Sequence, residues 1–312
     1  MSPAPLAVMP LRPENEGLLR ESIMRLVGGA SIEASVKNLA EVDTYPAFLP
    51  PASTVFLPWL PGLPYTHLVS VAARLRQAGF EPVPHIAARR LPDRASADDL
   101  VSRLCGEAGV TQVLVIGGDV DRPAGPFDSA AALLQAGLLQ QRGMRRIGVA
   151  GYPEGHPRIP DDRLDGVLNQ KMQWATQAGL ELYVVSQFCF DGVAIERWLQ
   201  RLHGAGVTLP VHVGLAGPAS MRTLINYGMR CGIGASLRAL RSHGVSLTRL
   251  AAQSGPESVV WHLAEAQERG ALPLPLKLHF FSFGGVEKTA RWMRAVSAGR
   301  VRLSGRQFEL TA

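Results

Sequence analysis

Short apolar runs alternate along the chain with longer segments of helical periodicity. The runs fall at 30–36, 53–60, 81–88, 111–118, 145–152, 181–188, 209–216 and 274–281. Each has about the length of a buried strand. Between them, THLVSVAARLRQAG (66–79), SADDLVSRLCGEAG (96–109), DSAAALLQAGLLQQRG (128–143) and AIERWLQRLHGAG (194–206) repeat apolar residues at spacings of three and four. Most of these segments stop at glycine, which tolerates the left-handed backbone that closes a helix. GLLRESIMRLV (17–27) predicts an N-terminal amphipathic helix ending at Gly28–Gly29. Strands separated by helices predict a parallel sheet, and eight right-handed strand–helix units close into a (β/α)8 TIM barrel. The competing doubly wound open sheet usually carries a Gly-x-Gly-x-x-Gly turn after its first strand, and none stands there. A further helical stretch near 235–270 reads as an insertion before the last strand. No linker or low-complexity segment divides residues 1–312, so one α/β catalytic domain is expected.

A barrel places its chemistry at the C-terminal ends of its strands. Polar residues at those ends are therefore the candidates. Strand 1 carries Glu33 and strand 3 reaches His85; strand 4 ends in Gly117-Gly118-Asp119. Strand 5 ends in GYPEGHP (151–157), where prolines and a glycine hold Tyr152, Glu154 and His156. That turn is more decorated than a mere reversal of direction requires. Strand 6 runs into Ser186-Gln187, with Asp191 beyond it read as a helix cap. Strand 8 holds Lys277 and His279, the latter read as a core histidine.

Composition narrows the function classes. The 46 % hydrophobic content fits a globular chain with a large core. No run of about 18 apolar residues predicts a membrane span. The first residues do not have the form of a secretory signal. Cys105, Cys189 and Cys231 are odd in number and far apart, which fits free thiols in a reducing cytoplasm and provides no zinc spacing. The net charge of +6 is spread over single arginines and the pairs Arg89–Arg90 and Arg145–Arg146. No basic block interleaves with aromatics, so an anionic small molecule, not nucleic acid, is the expected partner. A homo-oligomer is left open.

Four stretches resemble the methylenetetrahydrofolate reductase family of (β/α)8 flavoproteins, in its compact bacterial form. VLVIGGD (113–119) resembles the family's V-L-A-L-R-G-D, and GVAGYPEGHP (148–157) its G-V-A-x-Y-P-E-x-H-P turn. VVSQFCFD (184–191) resembles I-T-Q-F-F-F-D, and SIEAS (31–35) resembles S-F-E-F-F. Their order holds over residues 30–295. The resemblance implies interconversion of 5,10-methylenetetrahydrofolate and 5-methyltetrahydrofolate, with NAD(P)H as co-substrate and FAD carrying the hydride. By motif position it implies that Glu33 is the general acid and that Asp119 is a catalytic carboxylate near both pterin and flavin. Gln187 would bind the pterin, and His85, Asp119, Tyr152, His156, Asp165 and Lys171 would hold FAD.

The chemistry agrees with these roles. Opening the folate's five-membered ring needs a proton on a nitrogen leaving group, which a carboxylic acid kept neutral by burial supplies. A glutamine offers both a donor and an acceptor to a pterin edge. Three departures stand beside the match. Gly117 replaces the family's strand-4 arginine. SIEASVKN lacks the aromatic and proline pairs of S-F-E-F-F-P-P. VFLPWLPG (55–62) replaces V-T-Y-G and brings Trp59. They leave open a flavin-independent reductase of the same folate, a role in demethylation, or a non-redox folate-binding or methyl-transfer partner. A Schiff-base aldolase using Lys277 is a more distant alternative.

Overall fold

The computed structural model describes residues 13–231 and 253–311. Eight parallel strands form a closed barrel: β1 (Ser31–Glu33), β2 (Thr54–Leu57), β3 (Glu81–Ala87), β4 (Gln112–Ile116), β5 (Arg146–Gly151), β6 (Glu181–Ser186), β7 (Val211–Ala216) and β8 (Leu276–Phe281). Each pairs with its sequence neighbour, and β1 closes the ring on β8 with Ser31 opposite His279 and Glu33 opposite Phe281. All eight apolar runs thus become strands of one barrel, each shorter than its run because the ends turn into loops.

The helices follow the apolar stripes. They are α1 (Pro13–Gly28), α2 (Tyr65–Gln77), α3 (Arg94–Gly106), α4 (Ala130–Gln135), α5 (Leu138–Gln141), α6 (Asp161–Ala178), α7 (Gly192–Gly204), α8 (Met221–Arg230), α9 (Glu257–Glu268) and α10 (Val286–Ser297). In α2 the stripe is Leu68, Val69, Val71, Ala72 and Leu75, all buried against the barrel. Asp191 caps α7 by accepting from the amides of Val193 and Ala194, as its place before an apolar run predicts. The 128–143 pattern predicts one helix, but the chain breaks it at Gly137, whose φ of 75° no continuing helix allows. A 3-10 helix (Leu39–Ala47) joins β1 to β2 in place of an α-helix. Of the predicted 235–270 insertion, α9 is described and 232–252 lie outside the described residues. An antiparallel hairpin, β9 (Val301–Ser304) and β10 (Gln307–Leu310), follows α10. Trp292 of α10 packs between Phe280 of β8 and Phe308 of the hairpin.

Three apolar clusters result among the described residues, one of them around Phe188, Ala216, Ala219 and Leu224 at the strand exits and the other two in the body of the barrel. The larger of these two lies between strands and helices. The smaller fills the barrel itself with Phe56, Val83, Leu114, Tyr183 and Val185. Unusually polar neighbours share that interior: His85 of β3, His212 of β7 and His279 of β8, at 6 %, 6 % and 0 % exposure. Phe56 touches all three rings, at centroid distances of 5.9, 6.2 and 4.5 Å. Burial pulls His85 down to about 4 and His212 and His279 to about 3, so all three are neutral at pH 7. Close approach also constrains the backbone. A Cβ at Gly214 of β7 would stand 2.4 Å from the Ser186 carbonyl and 2.8 Å from the Phe281 ring.

Two expectations follow from this interior. Gly214→Ala forces backbone or Phe281 to shift and destabilises the protein by about 1–3 kcal/mol, read as a lower urea midpoint. The second concerns pH. Between the ordinary histidine value of 6.5 and about 4, the unfolded chain binds protons that the folded barrel refuses. Stability therefore rises with pH in that window and is lost on acidification, each histidine adding up to about 1.4 kcal/mol per pH unit. Glu33, whose carboxyl is raised, acts in the opposite sense above its ordinary value. Urea unfolding between pH 4 and 7 measures the slope, and His212→Phe flattens it by one histidine's share. A flat profile would contradict neutral buried imidazoles.

Candidate functional site

Glu33 ends β1 on the inward face of the barrel, two residues beyond Ser31. Its carboxyl Oε2 lies 3.7 Å from Nε2 of His85 and 4.0 Å from Nε2 of His279. Burial raises the Glu33 carboxyl above its ordinary value, and His85 only partly offsets this. The result is a carboxyl biased toward its neutral form beside neutral imidazoles. Ser31 Oγ meets Nδ1 of His279 at 2.9 Å. Ser282, just past β8, donates to the Glu33 carbonyl and ties the strand end in place. The structure thus brings His85 to the predicted acid, inside the barrel.

Gln187 follows β6. Its amide N–H donates to the Gly151 carbonyl at 2.8 Å, stitching the β6 exit to the β5 exit. Its side-chain Oε1 accepts from the Phe188 amide at 3.1 Å. That bond orients the carboxamide, whose NH2 end has no protein partner among the described residues. Ser186 accepts from the Gly214 amide at 2.8 Å and so fixes the neighbouring strand. Beside Gln187 stands an aromatic wall that the sequence reading did not assemble. Phe188 packs on Phe190, Phe281 and Phe283, and Tyr227 of α8 stacks on Phe283 at 4.1 Å. The advance signal was the VVSQFCFD stretch, which carries Phe188 and Phe190; Phe281, Phe283 and Tyr227 join them only in the fold.

Asp119 lies past β4 with its side chain 62 % exposed. Arg90 reaches it from the end of β3, with Nη2 at 2.6 Å and Nε at 3.0 Å from Oδ1. Oδ2 is left without a protein partner among the described residues. Arg90 also donates to the Trp59 carbonyl at 2.6 Å and sits 5.9 Å from the Trp59 ring centroid. Arg89 donates to the carbonyls of Val120, Asp121 and Asp128 and so holds the β4 exit loop. Its stem passes over Gly117. Arg89 and Arg90, just past strand 3, thus bring positive charge to the strand-4 exit. A cleft of about 370 Å³ opens here, lined by Trp59, Leu63, Arg89, Arg90, Asp119 and Arg122 among others.

The β5 exit loop brings Tyr152 edge-on to His156 at 4.9 Å. His156 Nδ1 accepts from the Arg158 amide at 3.1 Å, which assigns the ring's remaining proton to Nε2. Burial and Arg158 lower this imidazole, and burial raises the Tyr152 hydroxyl. Asp165 and Lys171 both lie on α6, the helix that follows the loop. Six residues separate them, which puts them on different sides of it. Lys171 is half-buried, and desolvation pulls its ammonium down to about 8. It has no ion-pair partner among the described residues. The predicted residues therefore form two groups: Glu33 with His85 inside the barrel, and Tyr152, His156, Asp165 and Lys171 on the β5 exit and α6. Asp119 and Gln187 stand at strand exits at the same end of the barrel.

A sequence model of the family described as methylenetetrahydrofolate reductase matches residues 66–232. Methylenetetrahydrofolate reductase 2 of Saccharomyces cerevisiae is 29 % identical over 48 % of this chain and 25 % of its own length. 5,10-methylenetetrahydrofolate reductase of Pectobacterium carotovorum is 28 % identical over 51 % of each chain. The chain thus matches a quarter and about half of the length of these curated relatives. A solved protein from Clostridium thermocellum, described as binding two copies of 5-methyl-5,6,7,8-tetrahydrofolic acid, shares the fold. It covers 89 % of this chain and 97 % of its own at TM-score 0.56 and 13 % identity. Since the family's sequence pattern spans more than half of its 312 residues, the chain belongs to the methylenetetrahydrofolate reductase family.

Proposed function

We propose that the protein interconverts 5,10-methylenetetrahydrofolate and 5-methyltetrahydrofolate, with NAD(P)H as the hydride source and FAD as cofactor. The observation that carries the reading is an acid, Glu33, whose desolvated carboxyl is raised above its ordinary value and lies 3.7 Å from His85, at the same end of the barrel as Gln187 and Asp119. Ring opening of the folate demands a proton on nitrogen, and a carboxyl held protonated by burial donates it at neutral pH. Gln187 offers its free NH2 to a pterin acceptor. Oδ2 of Asp119 accepts from pterin N–H groups while Arg90 balances the charge. The aromatic wall of Phe188 and its neighbours keeps water from the reacting face.

The residues of the β5 exit and α6 fit FAD. Lys171 is a half-buried cation without a carboxylate, and a phosphate offsets the cost of such burial. Tyr152 and His156 present a ring edge and an Nε2–H beside it, and Asp165 offers acceptor oxygens for ribose hydroxyls. When bound, FAD relays hydride between the nicotinamide and the folate. The family relationship and a folate-binding protein of the same fold support the reading.

The protein purified with FAD is expected to show a flavin spectrum and to oxidise NADH or NADPH only when methylenetetrahydrofolate is present. No flavin binding and no folate-dependent oxidation would end this reading. A colourless protein that still reduces the folate would favour direct hydride transfer. Glu33→Gln is expected to lower kcat by about 10²–10⁴-fold and leave FAD affinity unchanged. Lys171→Ala removes a charge-assisted contact worth about 1.5–3 kcal/mol, so the Kd for FAD rises about 10–100-fold by flavin fluorescence titration.

A further inference from the structure

The cleft of about 370 Å³ at the exits of β2, β3 and β4 plays no part in the proton chemistry of Glu33. Its charge is unbalanced. Arg89, Arg90 and Arg122 line it, against one carboxylate, Asp119. Arg90 is matched by Asp119. Arg89 donates to three backbone carbonyls and has no carboxylate partner among the described residues. Arg122 is exposed and makes no ion pair among the described residues. Its neighbour Asp121 is engaged by Arg158 at 2.9 Å. Two positive charges are therefore left over.

The loop that carries Arg122 is fixed on both sides of it. Arg89 donates to the carbonyls of Val120 and Asp121, and the Ala124 amide donates back to the Arg89 carbonyl at 2.8 Å. Arg122 thus stands on a short span between two anchors. Trp59, just past β2, is fixed as well. Its Nε1–H donates to the Leu63 carbonyl at 2.9 Å, and Tyr65 packs edge-on to it at 6.2 Å. A half-buried indole on the wall of a positive cleft is a stacking platform for a planar ring. Gathering like charges beside it costs the folded state energy, which a bound anion offsets.

We infer that this cleft binds a phosphomonoester carried on adenosine, the 2′-phosphate end of NADPH. This rests on NAD(P)H as the hydride source proposed above, and it names NADPH as the preferred form. The adenine stacks on Trp59, and the 2′-phosphate meets Arg122 and the spare N–H groups of Arg89. A phosphomonoester carries about −1.5 to −2 charge at pH 7, which matches the two unbalanced guanidiniums. The planar fork of arginine suits phosphate oxygens. Small-molecule pockets run from about 300 to 1,000 Å³, so this one admits one end of a dinucleotide and not the whole. The ADP half of FAD offers the same base and also carries phosphate. Lys171 on α6 already offers that phosphate a cation, so a second phosphate site is surplus to FAD but not to a reaction that uses two nucleotides.

The test uses the free protein, without folate and without turnover. Titration calorimetry compares adenosine 2′,5′-bisphosphate with 5′-AMP, which differ only in the 2′-phosphate. The bisphosphate is expected to bind about 10–100-fold tighter. Arg122→Ala is expected to cut that preference about fivefold, and Arg122→Glu to abolish it. Trp59→Ala is expected to weaken both nucleotides about tenfold. Saturating FAD is expected to leave bisphosphate binding unchanged. Equal affinities for the two nucleotides overturn the proposal, and so does a preference that survives Arg122→Glu or a Trp59→Ala that binds both as wild type does. Displacement of the bisphosphate by FAD overturns it too, because the cleft then belongs to the flavin nucleotide. If Trp59→Ala does not fold, the exposed Arg122 variants decide. Bisphosphate binding with these variant effects, in a protein that oxidises no NADPH with methylenetetrahydrofolate, overturns the reductase reading and leaves the site standing. Folate-dependent oxidation of NADH and NADPH at equal kcat/KM does the reverse.

Discussion

A carboxyl group largely enclosed in a parallel barrel has little water to stabilise its anion, so without a fixed cation beside it the balance moves toward the protonated form. Glu33 is shifted that way, because its neighbours are neutral imidazoles and a phenyl ring. Much else around it follows from that constraint. The histidines stay neutral because burial taxes their charge more than a neutral acid rewards it. Phe56 sits among three imidazole rings and keeps the interior apolar, which favours the neutral form of each. The same burial that costs stability on acidification raises the Glu33 carboxyl above its ordinary value.

The mouth of the barrel works by the opposite rule. There the charges are exposed or half-exposed and are held by pairing. Arg89 spends its donors on three carbonyls of the β4 loop, and Arg90 ties Asp119 to Trp59. The loop is thereby shaped by the arginines that follow strand 3. Arginines on one strand can serve the exit of the next, because neighbouring parallel strands end within a side chain's length of one another. Lys171 is the exception at this end of the chain's chemistry. A half-buried ammonium without a carboxylate is a group waiting for an anion.

Much of this was legible from the chain alone. Apolar runs of strand length, separated by amphipathic segments ending in glycine, allow little else but a parallel barrel, and all eight strands are there. Asp191 reads as a cap because a carboxylate just before an apolar helix has few better uses. The strand-end rule then singles out Glu33, Asp119, Tyr152, His156 and Gln187. Three features escaped. His279 reads as an ordinary core histidine, since nothing local to strand 8 reveals that closing the ring sets it opposite Ser31. Arg90 reads as one of many scattered arginines, and its partner lies 29 residues away. The wall of Phe188, Phe283 and Tyr227 joins residues from β6, β8 and α8 exits that meet only in the fold.

What the sequence determined by itself is therefore the repeating unit and the residue types delivered to each strand end, since both depend on patterns within about ten neighbouring residues. What the tertiary structure decided is which of those residues share a charge, a proton or a wall. That depends on barrel closure and inter-strand register, and one residue of slip along β1 would turn Ser31 and Glu33 out of the interior and leave His279 facing an apolar side chain.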